Sequence, residues 1–287
     1  MEATRVRDVL LTTIAPITWG STYFVTRQWL PADIPLTGAA IRALPAGLIL
    51  LLIARKLPEG EWWWRTAIIS ALTVGGFFIL IYVAGIRLPS GVAATLMAAS
   101  AVVMLVFARL LLGERAGPIR YAGGVAGVLG VALLVGGASS GLDPLGLMAA
   151  LLAMISTTLG FVLVKRWRPP APPLTFAAWQ LTLGGLMIVP FALALEGPPP
   201  AMDAPAVLGF AYLVLIATAL AYAAWFTGLR RLPAGTVGLI GLLNPLSGAL
   251  LGTLAAGEVL TPIQLVGAVI ILAGVAAGID WRVRRRK

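Results

Sequence analysis

Long apolar runs alternate with short polar connections along the whole chain. A helix needs about 20 mostly apolar residues to cross the hydrocarbon of a bilayer. Ten runs have about that length: 9–28, 36–54, 66–86, 90–112, 119–137, 144–164, 174–194, 206–227, 234–255 and 262–280. The runs are continuously apolar rather than alternating, which argues against a transmembrane β-barrel. The pattern predicts an all-α integral membrane protein with ten transmembrane helices.

The composition excludes an ordinary soluble protein. Of 287 residues, 60% are hydrophobic and 11% are charged, and the mean hydropathy is +0.97. A typical soluble domain has about 25% charged residues. Sharing 287 residues among ten spans leaves about 29 for each span and its connection, so we expect no soluble domain.

The sequence contains neither cysteine nor histidine. Without cysteine there are no disulfides and no thiolate chemistry. Without histidine the chain lacks the commonest metal ligand and the usual proton carrier near neutral pH. We therefore expect no metal site, no cofactor and no catalytic residue.

The net charge of +10 fits either a nucleic-acid partner or a membrane topology. Nucleic-acid binding needs basic residues gathered on one face, whereas here they are scattered between apolar runs. When the connections are assigned alternately to the two sides, 18 of the 21 lysines and arginines fall on one side. Since cytoplasmic loops carry the excess of basic residues, we expect an inner-membrane protein with both termini in the cytoplasm and no nucleic-acid partner.

The two halves of the chain repeat each other. Residues 87–132 match residues 231–276 without a gap at 14 of 46 positions, a shift of 144. The identities include charged residues and prolines, which are hard to match by chance in so apolar a chain. At a shift of 138, residues 35–37 also match residues 173–175. We infer that the chain arose by duplication.

The duplication predicts two five-helix repeats, residues 1–138 and 139–287. Because five is an odd number, the second repeat crosses the membrane in the opposite orientation. Many secondary transporters are built from inverted repeats, with the substrate site near the bilayer midplane between them. We therefore expect a transporter that works by alternating access. The alternative is an old duplication in a membrane scaffold or enzyme.

Several short motifs carry a resemblance to a known family. They are Trp19-Gly20-Ser21 with Tyr23-Phe24, Arg42, Gly113-Glu114 and Gly257-Glu258. In these motifs the chain resembles the drug/metabolite transporter (DMT) superfamily, specifically its EamA family. The resemblance implies an inner-membrane carrier of small organic solutes, often an exporter of amino acids or other metabolites. One branch exports aromatic amino acids, and the chain looks compatible with that branch.

Aromatic residues in spans three and eight are candidates for the walls or gates of a pathway. Phe78 and Tyr82 are four residues apart and share a helix face, and Tyr222 and Phe226 are the same positions shifted by 144. The inverted repeat would put the first pair toward the outside and the second toward the cytoplasm. Trp225 adjoins the second pair, but we expect it on a different face. The alternative is ordinary aromatic packing between helices.

Polar side chains near mid-span complete the predicted substrate site. Ser100 and Asn244 are equivalent positions in spans four and nine, and an amide at that depth needs a hydrogen-bond partner. Trp19 and Tyr23 in span one are the other candidates. For Asn244, an interhelical hydrogen bond or a cap on the kink at Pro245 explains the residue as well as substrate binding does.

Arg42 is the only basic residue well within a predicted span. It could hold a substrate carboxylate, or it could reach the outer interface or tie helices together, and we favour the structural explanation. Glu114 and Glu258 lie at opposite-facing helix ends, and we interpret them as caps or packing anchors.

No acidic residue lies deep in a span, and no nucleotide-binding loop is present. A proton-coupled pump usually has an ionisable group at that depth, so we expect facilitated export without proton or ATP coupling. The alternatives are a lipid or lipid-linked sugar flippase, a passive channel and, in another class, a membrane-embedded lipid-modifying enzyme. Such an enzyme would need an acidic or histidine cluster, so we expect a protein that is not an enzyme.

The expected partners are a small-molecule substrate and the lipid bilayer, with no protein partner implied by the sequence. A monomer or a weak homo-oligomer is expected. The glycine-rich fifth and tenth spans could pack against other helices or against other subunits.

Overall fold

The computed structural model describes residues 2–31, 33–85, 87–88, 96–135, 143–256 and 260–278, and for residues 2, 3, 5, 23 and 256 it describes the backbone alone. Within these segments the chain forms ten long helices, so the prediction of an all-α, ten-helix protein is confirmed. The helices are α1 (Glu2–Trp29), α2 (Pro35–Ala54), α3 (Trp62–Gly85), α4 (Leu96–Leu112), α5 (Pro118–Val135), α6 (Pro144–Trp167), α7 (Pro173–Leu195), α8 (Ala204–Arg231), α9 (Ala234–Ala255) and α10 (Pro262–Gly278).

The outer surface of the bundle suits a lipid environment. Seven helices, α2, α3 and α5 to α9, are long and apolar enough to cross a membrane, and α4 and α10 are shorter apolar helices. Large apolar side chains point outward along them, including Leu52, Leu110 and Leu254, which are 70–82% exposed. A soluble monomer rarely exposes so much apolar surface, so the chain is a multi-pass membrane protein.

Local sequence sets where the helices begin. Proline occupies the first position of α2, α5, α6, α7 and α10, where its missing N–H costs no hydrogen bond. Asp143 caps α6 by accepting a hydrogen bond from the Gly146 N–H at 2.7 Å, and Asp203 caps α8 through the Ala206 N–H at 2.9 Å. The Gly146 N–H, and after it the charge of Arg87, holds the pKa of Asp143 below its ordinary value of 3.8. This cap therefore stabilises α6 at neutral pH and is lost as the pH falls through the lowered pKa of Asp143.

Two helices contain a π-helical turn that the apolar pattern does not predict. One spans Ala71–Gly75 in α3 and the other spans Leu215–Leu220 in α8. Their first residues are 144 positions apart, the same shift that relates the two halves of the sequence. Such turns are rare and are frequently found at functional sites.

Glycine lets several helix pairs approach backbone to backbone. A methyl group added at Gly130 in α5 would lie 2.8 Å from the carbonyl oxygen of Gly267 in α10, and one at Gly20 in α1 would lie 2.4 Å from the carbonyl oxygen of Asn244 in α9. Small residues at helix contacts are typical of membrane bundles. The glycine-rich spans five and ten therefore pack against each other within one chain.

Prolines affect the helices unequally. Pro16, Pro45 and Pro190 lie inside helices that continue past them. In α9 the helix is interrupted at residues 241–242, just before Pro245. Proline removes the hydrogen bond to the carbonyl four residues earlier, which places the interruption at the turn preceding it. Gly241 and Leu242, at the break, line a cavity together with polar and aromatic side chains.

Candidate functional site

A cavity of about 330 Å³ lies between α1, α2, α3, α4, α6, α8 and α9, and we refer to it as the central cavity. Its volume is within the range of about 300–1,000 Å³ usual for small-molecule sites. Most of the wall is apolar and much of it aromatic: Trp19, Phe77, Phe78, Phe161, Tyr222 and Trp225, with Met97 and Met104. The polar part consists of the Thr22, Thr73, Ser100, Thr157, Thr158 and Asn244 side chains and the guanidinium group of Arg42.

The central cavity brings together five of the eight residues predicted for the substrate site. These are Trp19, Phe78, Ser100, Tyr222 and Asn244. Tyr82 does not line the cavity; it is half-buried against the hydrophobic core one turn away. Phe226 is also outside it, buried behind Tyr222. The side chain of Tyr23 lies outside the described part of the chain.

Trp225 was expected on a different face from Tyr222 and Phe226, but it lines the central cavity beside Tyr222, whereas Phe226 does not. At 100° per residue, Trp225 lies about 60° to one side of Tyr222 on the helix and Phe226 lies about 40° to the other side. The cavity is on the Trp225 side, where its indole ring packs 5.2 Å from that of Trp19. Helix periodicity places these rings around Tyr222 but does not say which neighbour faces the cavity.

Phe161 on α6 is a cavity residue that sequence reasoning missed. Its ring lies 5.4 Å from that of Trp225. In the sequence it is one apolar residue inside a continuous apolar run, so no signal separates it from residues that face lipid. Its position follows from the packing of α6 beside α8.

Two buried polar atoms at the cavity wall have no hydrogen-bond partner within the described residues. They are the indole nitrogen Nε1 of Trp225, a donor, and the amide oxygen Oδ1 of Asn244, an acceptor. A buried polar atom without a partner costs about 1–3 kcal/mol. A bound molecule that offers an acceptor and a donor would satisfy both atoms.

Arg42 on α2 is anchored to α8, the helix that also carries Tyr222 and Trp225. Its Nε donates to the hydroxyl of Thr218 at 3.1 Å, and its Nη2 donates to the carbonyl oxygen of Ala217 at 3.2 Å. Both acceptors belong to the π-helical turn of α8. The guanidinium carbon also lies 5.6 Å from the centre of the Phe78 ring. The expected structural role, tying helices together, therefore agrees with the contacts.

A second cavity, of about 440 Å³, lies toward the end of the bundle where Lys165, Arg168 and Arg230 are found. We call this end of the bundle the basic end, and we call the second cavity the basic-end cavity. Phe176 and Phe226 form its apolar wall.

Packed aromatic rings separate the basic-end cavity from the central cavity, and we call this layer the aromatic partition. Phe226 lies 5.2 Å from Phe176, 6.0 Å from Tyr222 and 6.4 Å from Phe161. These rings are 1–8% exposed. The two cavities are therefore closed off from each other in this conformation.

Polar contacts at the basic end tie four helices together. Lys165 on α6 lies 3.3 Å from Glu114, just after α4, and also donates to the backbone carbonyls of Leu229 and Leu232. The other carboxylate oxygen of Glu114 accepts from the Ala234 N–H at 2.8 Å, at the start of α9. The interpretation of Glu114 as a cap and packing anchor agrees with these contacts. Its repeat equivalent, Glu258, lies outside the described residues.

Two aspartate–arginine pairs each link the first helix of one half to the end of the third helix of the other half. Arg231 at the end of α8 pairs with Asp8 of α1 at 2.7 Å. Arg87, after α3, pairs with Asp143 at the start of α6 at 3.3 Å. Within the described segments, no group of three or more Asp or Glu residues is placed to hold a metal ion.

The comparisons with known proteins agree with this architecture. The EamA-like transporter family matches residues 7–136 and again residues 144–277. Protein PecM of Dickeya dadantii is 40% identical, covering 95% of this chain and 93% of its own length. A probable amino-acid metabolite efflux pump of Salmonella typhimurium is 27% identical, covering 97% of both chains.

A solved crystal structure with 20% sequence identity superposes with a TM-score of 0.82, covering 95% of this chain and 96% of that chain. At that identity the superposition shows a shared fold. The family matches and the 40% identical relative together cover nearly all of the sequence. The expectation of a transporter rather than an enzyme is thereby confirmed, and the chain belongs to the EamA-like transporter family of the drug/metabolite transporter superfamily.

Proposed function

We propose that this transporter exports small zwitterionic metabolites with an apolar or aromatic side chain, amino acids above all, through the central cavity. The observation that carries the proposal is the combination of an aromatic and methionine wall with the two unpartnered polar atoms on Trp225 and Asn244. Aromatic and methionine side chains accommodate apolar groups of varied shape. An indole N–H suits a carboxylate, and an amide oxygen suits an ammonium group. The similarity to a probable amino-acid metabolite efflux pump supports the same substrate class.

Alternating access between two inverted five-helix repeats is the mechanism we propose. The aromatic partition is the barrier that must open toward the basic end for substrate to enter or leave there. In this mechanism Tyr222 is a wall of the central cavity and Phe226 is the gate behind it. Tyr82 takes the position equivalent to Phe226 near the other end of the pathway.

The proposed orientation puts the basic end and both termini in the cytoplasm of an inner-membrane protein. Lys165, Arg166, Arg168, Arg230 and Arg231 lie at that end. Cytoplasmic ends carry the excess of basic residues. Substrate accumulated in the cytoplasm would then reach the central cavity through the partition and leave on the other side.

The proposed energy source is the solute gradient alone. The described side chains that line the central cavity include no carboxylate, and the whole sequence contains no histidine. Those are the groups that usually carry protons in membrane pumps. Counterflow should stimulate uptake into proteoliposomes, and an imposed pH or sodium gradient should leave it unchanged; a gradient dependence would contradict the facilitated mechanism.

The substrate class can be tested with purified protein in proteoliposomes and a panel of amino acids, sugars, nucleotide derivatives and fluorescent lipids. We expect saturable uptake of apolar and aromatic amino acids. Asn244→Leu should reduce it about tenfold, because losing one hydrogen bond to a charged group costs about 1.5–3 kcal/mol. The variant should melt no lower than the wild type, because it also removes an unpartnered buried acceptor. Uptake confined to sugars or nucleotides, or lipid scrambling alone, would overturn the proposal.

A further inference from the structure

The basic-end cavity combines positive charge with an aromatic wall. Three basic side chains line it, those of Lys165, Arg168 and Arg230, and the described residues of its wall include no aspartate or glutamate. Phe176 and Phe226 supply the aromatic part. Its volume of about 440 Å³ is within the range of about 300–1,000 Å³ usual for small-molecule sites. The cavity therefore has the size and the charge to hold a small anion with an apolar part.

The charges of the two arginines are not balanced by acidic partners, whereas that of the lysine is. Lys165 is paired with Glu114 at 3.3 Å. Arg230 donates from Nη1 to the carbonyl oxygen of Ala171 at 3.5 Å, a neutral acceptor, and within the described segments neither Arg168 nor Arg230 has an ion pair. Both arginines are exposed, so a solute can reach them from the water. A cleft with one sign of charge raises the local concentration of the opposite charge about 10- to 1,000-fold.

Arg168 lies at the end of α6 in a left-handed backbone conformation. Its φ is 51°, and its N–H donates to the carbonyl oxygen of Val164 at 3.0 Å. Arg55 ends α2 in the same way, with a φ of 48° and an N–H that donates to the carbonyl oxygen of Leu51 at 2.8 Å. A basic residue is favourable at a helix C-terminus, which explains both arginines equally. Of the two, only Arg168 lines the basic-end cavity, so Arg55 is a natural control for the effect of the helix end.

The aromatic wall of the basic-end cavity is also part of the aromatic partition. The rings of Phe176 and Phe226 lie 5.2 Å apart, and they are 1% and 2% exposed. Phe226 in turn packs 6.0 Å from Tyr222, which lines the central cavity. A solute in the basic-end cavity would therefore rest against the rings that separate it from the central cavity.

We propose that the basic-end cavity is a second binding site for the exported solute. It holds the carboxylate of the solute at Arg168 and Arg230, and the apolar side chain of the solute against the partition, until the partition opens. This inference rests on the proposed function, because it takes its substrate class and its pathway from there. A guanidinium binds a carboxylate through paired N–H donors in one plane. An amine without a carboxylate would instead meet like charges, so the site should discriminate between the two.

A cysteine in the cavity wall can measure binding without transport, because the natural chain has none. Pro173→Cys puts a thiol at a half-buried wall position, the first residue of α7, where a helix does not depend on proline. The purified protein is labelled with uncharged N-ethylmaleimide in the presence of hydrocinnamate, which has a carboxylate but no amine, or phenethylamine, which has the reverse. Hydrocinnamate should halve the labelling rate at a concentration at least about tenfold lower, since a hydrogen bond to a charged group is worth at least that factor. Equal protection by the two compounds would overturn the proposal.

Matched variants in the Pro173→Cys protein assign the protection to the cavity arginines. Arg168→Gln should raise the half-protecting concentration of hydrocinnamate about tenfold. Arg55→Gln removes the same charge from the same kind of helix end outside the cavity, and it should leave that concentration unchanged. Arg230→Gln should act as Arg168→Gln does, and it decides the question if Arg168→Gln does not fold. An equal loss in Arg55→Gln, or no loss in either cavity variant, would contradict the proposal.

Transport kinetics test whether the second site lies on the pathway. Inside-out vesicles expose the cytoplasmic face to the medium, and phenylalanine uptake into them should show a KM about tenfold higher in Arg168→Gln with the maximum rate kept, because only a binding contact is lost. Raising the ionic strength should increase the KM of the wild type more than that of the variant, since salt screens exposed charges. A lower maximum rate with an unchanged KM would assign Arg168 a structural role and refute the site.

The second site and the proposed function can fail separately. Protection of Pro173→Cys by hydrocinnamate, without any transport of phenylalanine, would overturn the proposed substrate class and support the basic-end cavity as a site for aromatic carboxylates. Transport of phenylalanine without protection would refute the second site and leave the proposed function standing.

Discussion

At the scale of single residues, the position of each aromatic ring decides how much it contributes to the central cavity. Tyr222 lines the central cavity and lies 5.6 Å from Trp19, whereas Tyr82 packs against the hydrophobic core one turn beyond the cavity. An aromatic contact contributes about 0.5–1.5 kcal/mol beyond its buried area. Both tyrosines are candidate gates in the sequence, but in the structure only Tyr222 of the two lines the central cavity.

We predict that Tyr222→Leu slows transport several-fold to about tenfold, since 1.4 kcal/mol corresponds to a factor of ten. Tyr82→Leu, the same substitution outside the cavity, should have a smaller effect. Initial uptake rates normalised to protein level in the membrane provide the measurement. Unchanged transport in Tyr222→Leu would remove this residue from the pathway, and a larger effect at Tyr82 would reverse the assignment.

At the scale of helices, the contact between α5 and α10 depends on the absence of side chains. An added methyl group at Gly130 would lie 2.8 Å from the carbonyl oxygen of Gly267 and 3.0 Å from the backbone nitrogen of Ile271. Backbone atoms cannot turn aside as a side chain can. The two helices would therefore have to move apart to make room for the methyl group.

We predict that Gly130→Ala lowers the melting temperature of the protein in detergent, because overpacking a tight contact costs about 1–3 kcal/mol. Gly85→Ala is the matched control: the added methyl group meets nothing within 4 Å at the end of α3. Alanine is otherwise favoured over glycine in helices by about 1 kcal/mol, so the control should melt at the same temperature or slightly higher. A lower melting temperature in the control alone would contradict the assignment of this contact.

At the scale of the whole molecule, the polar contacts of the basic end lie beside the aromatic partition, since Lys165 lines the same cavity as Phe176 and Phe226. Lys165 joins α6 to Glu114, to the end of α8 and to the connection between α8 and α9. Phe226, which forms part of the partition, lies on α8 less than two turns before that connection. Releasing the lysine should therefore favour conformations in which the central cavity is reached from the basic end.

A cysteine introduced into the central cavity can report this change, because the natural chain has none. Thr157→Cys places a thiol at the cavity wall, and a membrane-impermeant thiol reagent is applied to vesicles from the cytoplasmic side. Adding Lys165→Met should raise the labelling rate about tenfold, the shift expected for about 1.4 kcal/mol. Lys56→Met is the control, since the exposed Lys56 pairs with exposed Glu59 at 3.6 Å and such pairs contribute little. Equal labelling in both variants would contradict a closing role for Lys165.

The sequence by itself determined the membrane class, the helix count and the family, because each depends on properties that repeat along the chain. Apolar runs of spanning length have no alternative to a helix in lipid, where every backbone polar group must be satisfied internally. Five of eight site residues also line the cavity, since helix periodicity and the repeat place Phe78 with Tyr222 and Ser100 with Asn244.

Only the tertiary structure decided which side chains meet. In a span that is apolar all round, the face that turns inward depends on the neighbouring helices. The sequence therefore gives no signal for Phe161, and it does not show that Trp225 lines the cavity beside Tyr222. The π-helical turns are likewise visible only in the structure, and the one in α8 contains both acceptors of Arg42. Periodicity fixes positions around one helix, whereas a site requires the relative rotation of several, and that is set by packing.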